Sequence, residues 1–166
     1  MHKHRRDQEA EAAFALIVTS DTRTPETDET GKKATEMLEE AGHRVAAYVI
    51  VPNEAEKIRE AVKGFTRVPG IQAIITSGGT GIGSKDRTVD TVSGLLDKRL
   101  EGFGELFRHL SYGEIGPAAV MSRATAGVSG GKLVFCLPGS RAAMELALEK
   151  IILPTLGHML WELRRK

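Results

Sequence analysis

The chain has 166 residues, of which 41% are hydrophobic and 27% charged, and its net charge is +1. This length suits one domain with an ordinary hydrophobic core. The near-neutral net charge gives no sign of the excess positive charge with which proteins bind nucleic acid or a membrane surface. With a single cysteine, Cys136, and no apolar run long enough to cross a bilayer, the sequence excludes an intrachain disulfide and favours a cytoplasmic protein.

Apolar runs and amphipathic segments alternate in the first half of the chain. Helices are predicted from an N-cap at Asp28 to Gly42, and from Glu54 to the break at Pro69-Gly70. Three apolar runs around these helices predict buried strands, at residues 14–19, 45–51 and 71–76.

The second half begins with a glycine-rich loop at residues 77–84, after which a helix is predicted from near Thr88. Gly102 and Gly104 are expected to interrupt the chain before the next helix. The remaining predicted elements are a short helix at 116–123, a strand at 132–137 and a helical segment at 140–165 with a break at Pro154.

The predicted strands are continuous apolar runs without the period-two pattern of a half-exposed strand. This pattern, with helices between the strands, is typical of an α/β sandwich with a mostly parallel sheet. We expect residues 1–13 to form a flexible tail and residues 14–166 to form one domain. In such a sheet, ligands bind beyond the carboxyl ends of the strands.

Three predicted strand ends carry distinctive residues. In the loop that follows the third strand, the glycines permit close approach of a backbone to an anion, and hydroxyls and a helix N-terminus add donors for phosphate. Neither the Walker nor the dinucleotide fingerprint fits, and a tight turn without a ligand is the alternative. The three ends are Ser20-Asp21, the loop Ser77-Gly78-Gly79-Thr80-Gly81, and Pro138-Gly139-Ser140.

Asp86 and Asp90 are four residues apart, so they could share one face at the start of the next helix. Beside bound phosphates, two such carboxylates would hold Mg²⁺. The alternative is that Asp86 only caps the helix. Lys85 and Arg87, the neighbours of Asp86, could add positive charge.

Other polar residues further along the chain have two interpretations each. Glu105 and Arg108 are predicted on the helix face opposite two phenylalanines, and Arg123 follows Ser122 at a bend where it could bind phosphate bidentately. Each arginine could equally be a solvated charge, and Ser140 could be a simple helix cap. None of the five histidines has the spacing of a metal site.

Several blocks of this sequence, in their order, resemble the MoaB/Mog molybdopterin-binding family over nearly all the chain after residue 13. Each block alone is weakly specific, whereas the set is highly specific. The blocks are Thr76–Gly81, Asp86–Asp90, Gly102–Arg108, Glu114–Gly116, Ser122–Ala124 and Leu137–Ser140.

This resemblance implies a three-layer α/β/α fold and a homotrimer or homohexamer. It implies transfer of AMP from Mg-ATP to the terminal phosphate of molybdopterin, which later accepts molybdate or tungstate. Asp86 matches the family's metal-binding and catalytic aspartate, and the Gly78–Gly81 loop matches the part of the site that holds phosphate or nucleotide. Ligand-facing blocks are matched by Ser122, Arg123, Pro138, Gly139 and Ser140.

One position departs from the pattern. Active members often carry an acidic residue after the proline that ends the second strand, whereas this chain has Asn53, followed by Glu54. A non-catalytic protein that binds or carries molybdopterin in the same pathway is therefore an alternative to the adenylyltransferase. A generic phosphate-binding or nucleotide-binding domain is the third hypothesis.

Overall fold

The structure, a computed structural model, describes residues 11–165. Most of the predicted tail, residues 1–10, lies outside the described residues; within the rest of it, Ala12 is buried and Ala13 begins the first strand. No helix in the described range is both long and apolar enough to span a membrane.

The described chain up to Ser93 follows the predicted order of strands and helices. The elements are β1 (Ala13–Thr19), α1 (Glu29–Glu40), β2 (Arg44–Val51), α2 (Ala55–Thr66), β3 (Ala73–Ser77) and α3 (Thr88–Ser93). The side chain of Asp28 caps α1, as predicted, by accepting a hydrogen bond of 3.0 Å from the Gly31 amide.

The second half contains two strands that sequence patterns did not predict, β4 and β5. Its elements are β4 (Lys98–Arg99), α4 (Glu101–Ile115), a 3₁₀ helix (Gly116–Met121), β5 (Thr125–Ser129), β6 (Lys132–Leu137), α5 (Arg141–Ala147), a π-helical turn (Leu148–Ile152) and α6 (Leu153–Arg164). The predicted break at Pro154 is a change of helix type, because Pro154 lies in the first turn of α6 directly after the π-helical turn.

The prediction that Gly102 and Gly104 interrupt the chain is wrong, because both lie inside α4. At Gly104 a Cβ atom would approach the carbonyl oxygen of Ala124 to 2.7 Å. This glycine therefore lets the helix pack closely against the segment that leads into β5, and it does not break the helix.

Six strands form one sheet in the order β2-β1-β3-β6-β5-β4. The pairs β2-β1, β1-β3 and β3-β6 are parallel, whereas β5 runs antiparallel to both of its neighbours. The sheet is therefore mostly parallel, as predicted.

Alternate residues of the central strands face two separate hydrophobic clusters. Phe14, Leu16 and Phe135 face the layer of α1, α4, α5 and α6, whereas Ile17 and Ile74 face the layer of α2 and α3. The predicted α/β/α sandwich is thereby confirmed, and burial on both faces explains why the strands are continuous apolar runs. Cys136 faces the second cluster, where burial raises the pKa of its thiol to about 12.

Candidate functional site

The carboxyl ends of β1, β3 and β6 lie at the same edge of the sheet, as their parallel pairing requires. The loops after β3 and β6 touch there, since the Gly78 amide donates to the Leu137 carbonyl at 2.9 Å. A Cβ atom on Gly139 would lie 3.4 Å from the Cα atom of Gly78. The predicted loops at residues 77–81 and 138–140 are therefore neighbours.

A cavity of about 340 Å³ opens beside these two loops and has two chemically different walls. Its apolar wall comes mainly from α4, the 3₁₀ helix and α5, through Phe107, Ile115, Met121 and Ala143, with Ser111 between them. Its polar wall consists of Gly79, Thr80, Gly81, Asp86, Ser122, Pro138, Gly139 and Ser140. Such a cavity suits a small ligand that has one apolar and one polar part.

The glycines of the loop after β3 are required by the protein's own packing. Gly78 and Gly79 have φ angles of 100° and 69°, in the left-handed region. A Cβ atom on Gly78 would lie 2.6 Å from the Thr19 carbonyl oxygen, and one on Gly79 would overlap the Thr88 hydroxyl. The loop is therefore a preformed wall of the cavity, and its glycines alone do not prove that a ligand approaches them.

Asp86 lines the cavity from a turn before α3. Its Oδ2 atom accepts a hydrogen bond of 2.9 Å from the Gly83 amide, and the Asp86 amide donates to the Gly83 carbonyl at 3.0 Å. Both predicted roles of Asp86 in the helix are wrong: α3 begins only at Thr88, and Arg87 occupies its N-cap position. Within the described residues, Oδ1 of Asp86 has no hydrogen-bond donor, so it is available to a ligand.

Asp90 is paired with Arg123. The guanidinium donates two hydrogen bonds, from Nη1 to Oδ1 at 3.1 Å and from Nη2 to Oδ2 at 2.6 Å. These bonds lower the pKa of Asp90 and raise that of Arg123. Both carboxylate oxygens of Asp90 are therefore engaged by Arg123, and neither residue is among those that line the cavity.

Asp21 lies at the end of β1 and is bonded to Asn53 after β2. The Asn53 amide donates to Oδ1 at 2.9 Å, and its side-chain Nδ2 donates to Oδ2 at 3.3 Å. These hydrogen bonds, with the positive charge of Lys85, lower the pKa of Asp21. Ser20 accepts from the amides of Thr22 and Arg23, so its hydroxyl shapes the turn, and neither Ser20 nor Asp21 lines the cavity.

Three further predicted residues lie outside the cavity wall. The Ser77 hydroxyl is buried without a hydrogen-bond partner in the described chain. Glu105 is exposed on α4. Arg108 donates from Nη1 to the carbonyls of Ser122 and Ala124, at 3.4 and 3.1 Å, so it braces the chain before β5 and is not a solvated charge.

The Ser140 side chain caps α5 by accepting from the Ala143 amide at 3.2 Å, and Ser140 also lines the cavity. The predicted cap and a ligand contact are therefore compatible at this residue.

The apolar wall was not predicted as part of the site, although Phe107, Ser111 and Ile115 are spaced four residues apart and thus share one helix face.

Comparison with known proteins identifies the family to which the sequence and fold are similar. A family described as "Probable molybdopterin binding domain" matches residues 15–158. The chain belongs to this family. It is 46% identical over 165 residues to molybdenum cofactor biosynthesis protein B of Bacillus cereus, covering 99% of this chain and 98% of that protein, and 44% identical over 166 residues to the Bacillus subtilis protein of the same name, with the same coverages.

Solved structures of the family share the fold. A crystal structure of molybdenum cofactor biosynthesis protein B is 47% identical, with a TM-score of 0.92 over 95% of this chain and 98% of that one. The tungsten cofactor synthesizing protein MoaB from Pyrococcus furiosus is 35% identical, with a TM-score of 0.80 over 93% and 98% of the two chains. This molybdopterin-binding family member is thus grouped with proteins of molybdenum and tungsten cofactor biosynthesis.

Proposed function

We propose that this family member transfers AMP from Mg-ATP to the terminal phosphate of molybdopterin and releases pyrophosphate. The observation that carries the proposal is the cavity with one apolar and one polar wall, at the carboxyl edge of the sheet. Phe107, Ile115 and Met121 offer apolar contacts to the pterin ring, while the two loops offer hydroxyl and amide donors to its phosphate.

The residues present fit a magnesium ion that enters with ATP. The described residues contain no group of three or more His, Cys, Asp or Glu side chains that could hold a metal by themselves. Mg²⁺ is commonly held by one or two carboxylates together with substrate phosphates, and Asp86 offers one such carboxylate oxygen at the cavity wall. When bound there, the ion would neutralise charge on the reacting phosphates.

In the proposed reaction, an oxygen of the molybdopterin phosphate attacks the α-phosphorus of ATP. A phosphoanhydride bond forms, the bond to the pyrophosphate oxygen breaks, and the electron pair leaves with pyrophosphate. The protein supplies no covalent nucleophile; the loops position the two phosphates, and exclusion of water by the apolar wall strengthens their electrostatic contacts.

A second candidate function, binding or carrying molybdopterin without catalysis, is favoured by the contact between Asp21 and Asn53. The Asp21 carboxylate receives two hydrogen bonds from an uncharged residue, so no pair of carboxylates for a further cation forms there. In this case the cavity would still bind the pterin.

Incubation of the purified protein with molybdopterin, ATP and Mg²⁺ separates the two functions. The adenylyltransferase releases one pyrophosphate for each molybdopterin consumed, and release requires both substrates. Bound molybdopterin without pyrophosphate release would reject the enzyme and leave the carrier. Failure to bind molybdopterin in a calorimetric titration would reject both.

A further inference from the structure

A buried carboxylate lies behind the candidate site, on the α1 side of the loop after β6. Asp28 has no exposed surface, although it carries an ionisable group. Its Oδ1 atom accepts from the Gly31 amide at 3.0 Å, and its Oδ2 atom accepts from the Tyr48 hydroxyl at 2.6 Å. Capping α1 needs only the first of these contacts, so the second requires a separate explanation.

Arg23 connects this carboxylate to the site. Its Nη1 atom lies 3.7 Å from Oδ1 of Asp28, and its Nη2 atom donates to the Gly139 carbonyl at 3.0 Å. The Thr30 hydroxyl donates to the same carbonyl at 2.9 Å. One peptide group of the loop after β6 is therefore held by two donors, both from the α1 side of the loop.

The orientation of this peptide group matters because a trans peptide places its C=O and N–H on opposite sides. With the Gly139 carbonyl held towards Arg23 and Thr30, the N–H of Ser140 points away from α1. Gly139 and Ser140 both line the cavity, and no acceptor for the Ser140 amide is found in the part of the chain that the structure describes. The Ser140 N–H is thus free to bind an anion in the cavity.

We propose that Tyr48, Asp28, Arg23 and Thr30 are positioning residues that fix the Gly139–Ser140 peptide so that the Ser140 amide donates to the substrate's phosphate. Asp28 is the centre of this network: its negative charge fixes the guanidinium of Arg23, and the Tyr48 hydroxyl fixes the carboxylate. Burial and the contact with Asp28 raise the pKa of Tyr48, so this residue stays a donor over the whole neutral range. The phosphate contact rests on the proposed function, whereas the orientation of the peptide does not.

Two threonines on α1 provide a matched test. Thr30→Val removes the hydroxyl that donates to Gly139, and Thr30→Ser keeps a hydroxyl there. Thr35→Val removes a hydroxyl bond of the same 2.9 Å length, made to the Gly31 carbonyl within α1 itself. Tyr48→Phe perturbs the other end of the network and tests whether the effect passes through Asp28.

The first readout is hydrogen exchange of the backbone amides in residues 139–144. We expect exchange there to become about fivefold faster in Thr30→Val and Tyr48→Phe, since loss of one buried hydrogen bond raises local opening by about that factor. Thr30→Ser and Thr35→Val should exchange as the unmodified protein does. Equal exchange in Thr30→Val and Thr35→Val would overturn the proposal.

The second readout comes from the pyrophosphate-release assay, in which the KM for molybdopterin and kcat are measured separately and their changes are compared. Loss of a binding contact raises KM about fivefold or more and leaves kcat within about twofold, with rescue by Thr30→Ser. A KM unchanged in Thr30→Val would show that the Ser140 amide does not bind the phosphate. If the unmodified protein releases no pyrophosphate, the proposed function fails on its own, and the exchange comparison still decides whether the network positions the loop.

Discussion

Asp86 and Asp90 are two aspartates only four residues apart, but the structure gives their side chains different surroundings. Asp86 lines the cavity and keeps one carboxylate oxygen without a donor among the described residues, whereas both oxygens of Asp90 are bonded to Arg123. We expect Asp86→Asn to lower kcat by roughly 10²-fold with little change in molybdopterin affinity, because it removes charge that acts on the reacting phosphates. Asp90→Asn should lower kcat far less.

The measurement is steady-state pyrophosphate release, with binding followed separately by calorimetry. Asp97→Asn is the control, since Asp97 is an exposed aspartate that bonds the Gly130 amide and does not line the cavity. An unchanged kcat in Asp86→Asn would reject the assigned role of this carboxylate.

The carboxyl of Asp21 provides a prediction about pH. Its pKa lies below the ordinary 3.8, chiefly because of hydrogen bonds from Asn53. In Asn53→Ala, which keeps the backbone donor and loses Nδ2, we expect this pKa to rise part of the way back, as followed by NMR titration of the carboxyl carbon. Since the pKa is depressed in the folded state, the stabilisation is present above pH 3.8 and is lost as the pH falls through the lowered value.

An Asp21 pKa that stays unchanged in Asn53→Ala would show that the side-chain bond is too weak to matter. Glu54→Ala is a suitable control, because Glu54 is the exposed neighbour of Asn53 and its side chain does not cap α2.

At the scale of structural elements, the glycines of the loop after β3 have two possible explanations. They could be required by packing within the protein or by the close approach of a ligand. Gly79 and Gly131 have similar φ angles of 69° and 76°, but a Cβ atom meets Thr88 at Gly79 and nothing within 4 Å at Gly131. Substitution by alanine should therefore cost about 1–2 kcal/mol of backbone strain at both positions and about 1–3 kcal/mol more at Gly79.

Urea denaturation without any ligand measures this difference in the free energy of unfolding. Equal losses for Gly79→Ala and Gly131→Ala would contradict the packing explanation, and the glycine at position 79 would then have to serve the ligand alone.

Sequence patterns predict most elements of this fold because the strands are apolar runs and the helices have recognisable ends. They fail where a distant contact decides the structure. Gly104 looks like a helix breaker, but the Ala124 carbonyl requires a glycine there. The β5 segment, Thr125–Ser129, is short and includes a glycine, so its own sequence does not indicate a strand. It is a strand because it pairs with β6.

The same limit applies to the candidate site. The order of the strands places the loops at one edge, and this follows from the sequence. By contrast, the partners of Arg108, Arg123 and Asp21 are 14 or more residues away, so local spacing could not show that these side chains are already occupied.

At the scale of the whole molecule, the family resemblance predicts a homotrimer or homohexamer. Large apolar side chains that do not line the cavity are exposed on α4, on the 3₁₀ helix and on the loop after β3: Tyr112, Val120 and Ile82. Monomeric proteins seldom expose several such residues together, so we expect this surface to be covered by another copy of the chain. Val120, which is 81% exposed and does not line the cavity, is the residue to substitute.

Val120→Asp should shift the mass measured by light scattering towards the monomer. Val68→Asp is the matched control, because Val68 is 40% exposed and lies between α2 and β3, remote in sequence from this surface. A monomeric unmodified protein, or a mass that Val120→Asp leaves unchanged, would contradict the assignment of this surface.

Mass spectrometry of the reaction products tests most directly whether the two-walled cavity binds molybdopterin and ATP so that AMP is transferred to molybdopterin. We predict that the protein, molybdopterin, ATP and Mg²⁺ together yield adenylylated molybdopterin. The product should be absent when either substrate is omitted and greatly reduced in Asp86→Asn, but not in Asp97→Asn. Molybdopterin that stays bound and unmodified throughout the incubation would contradict the claim.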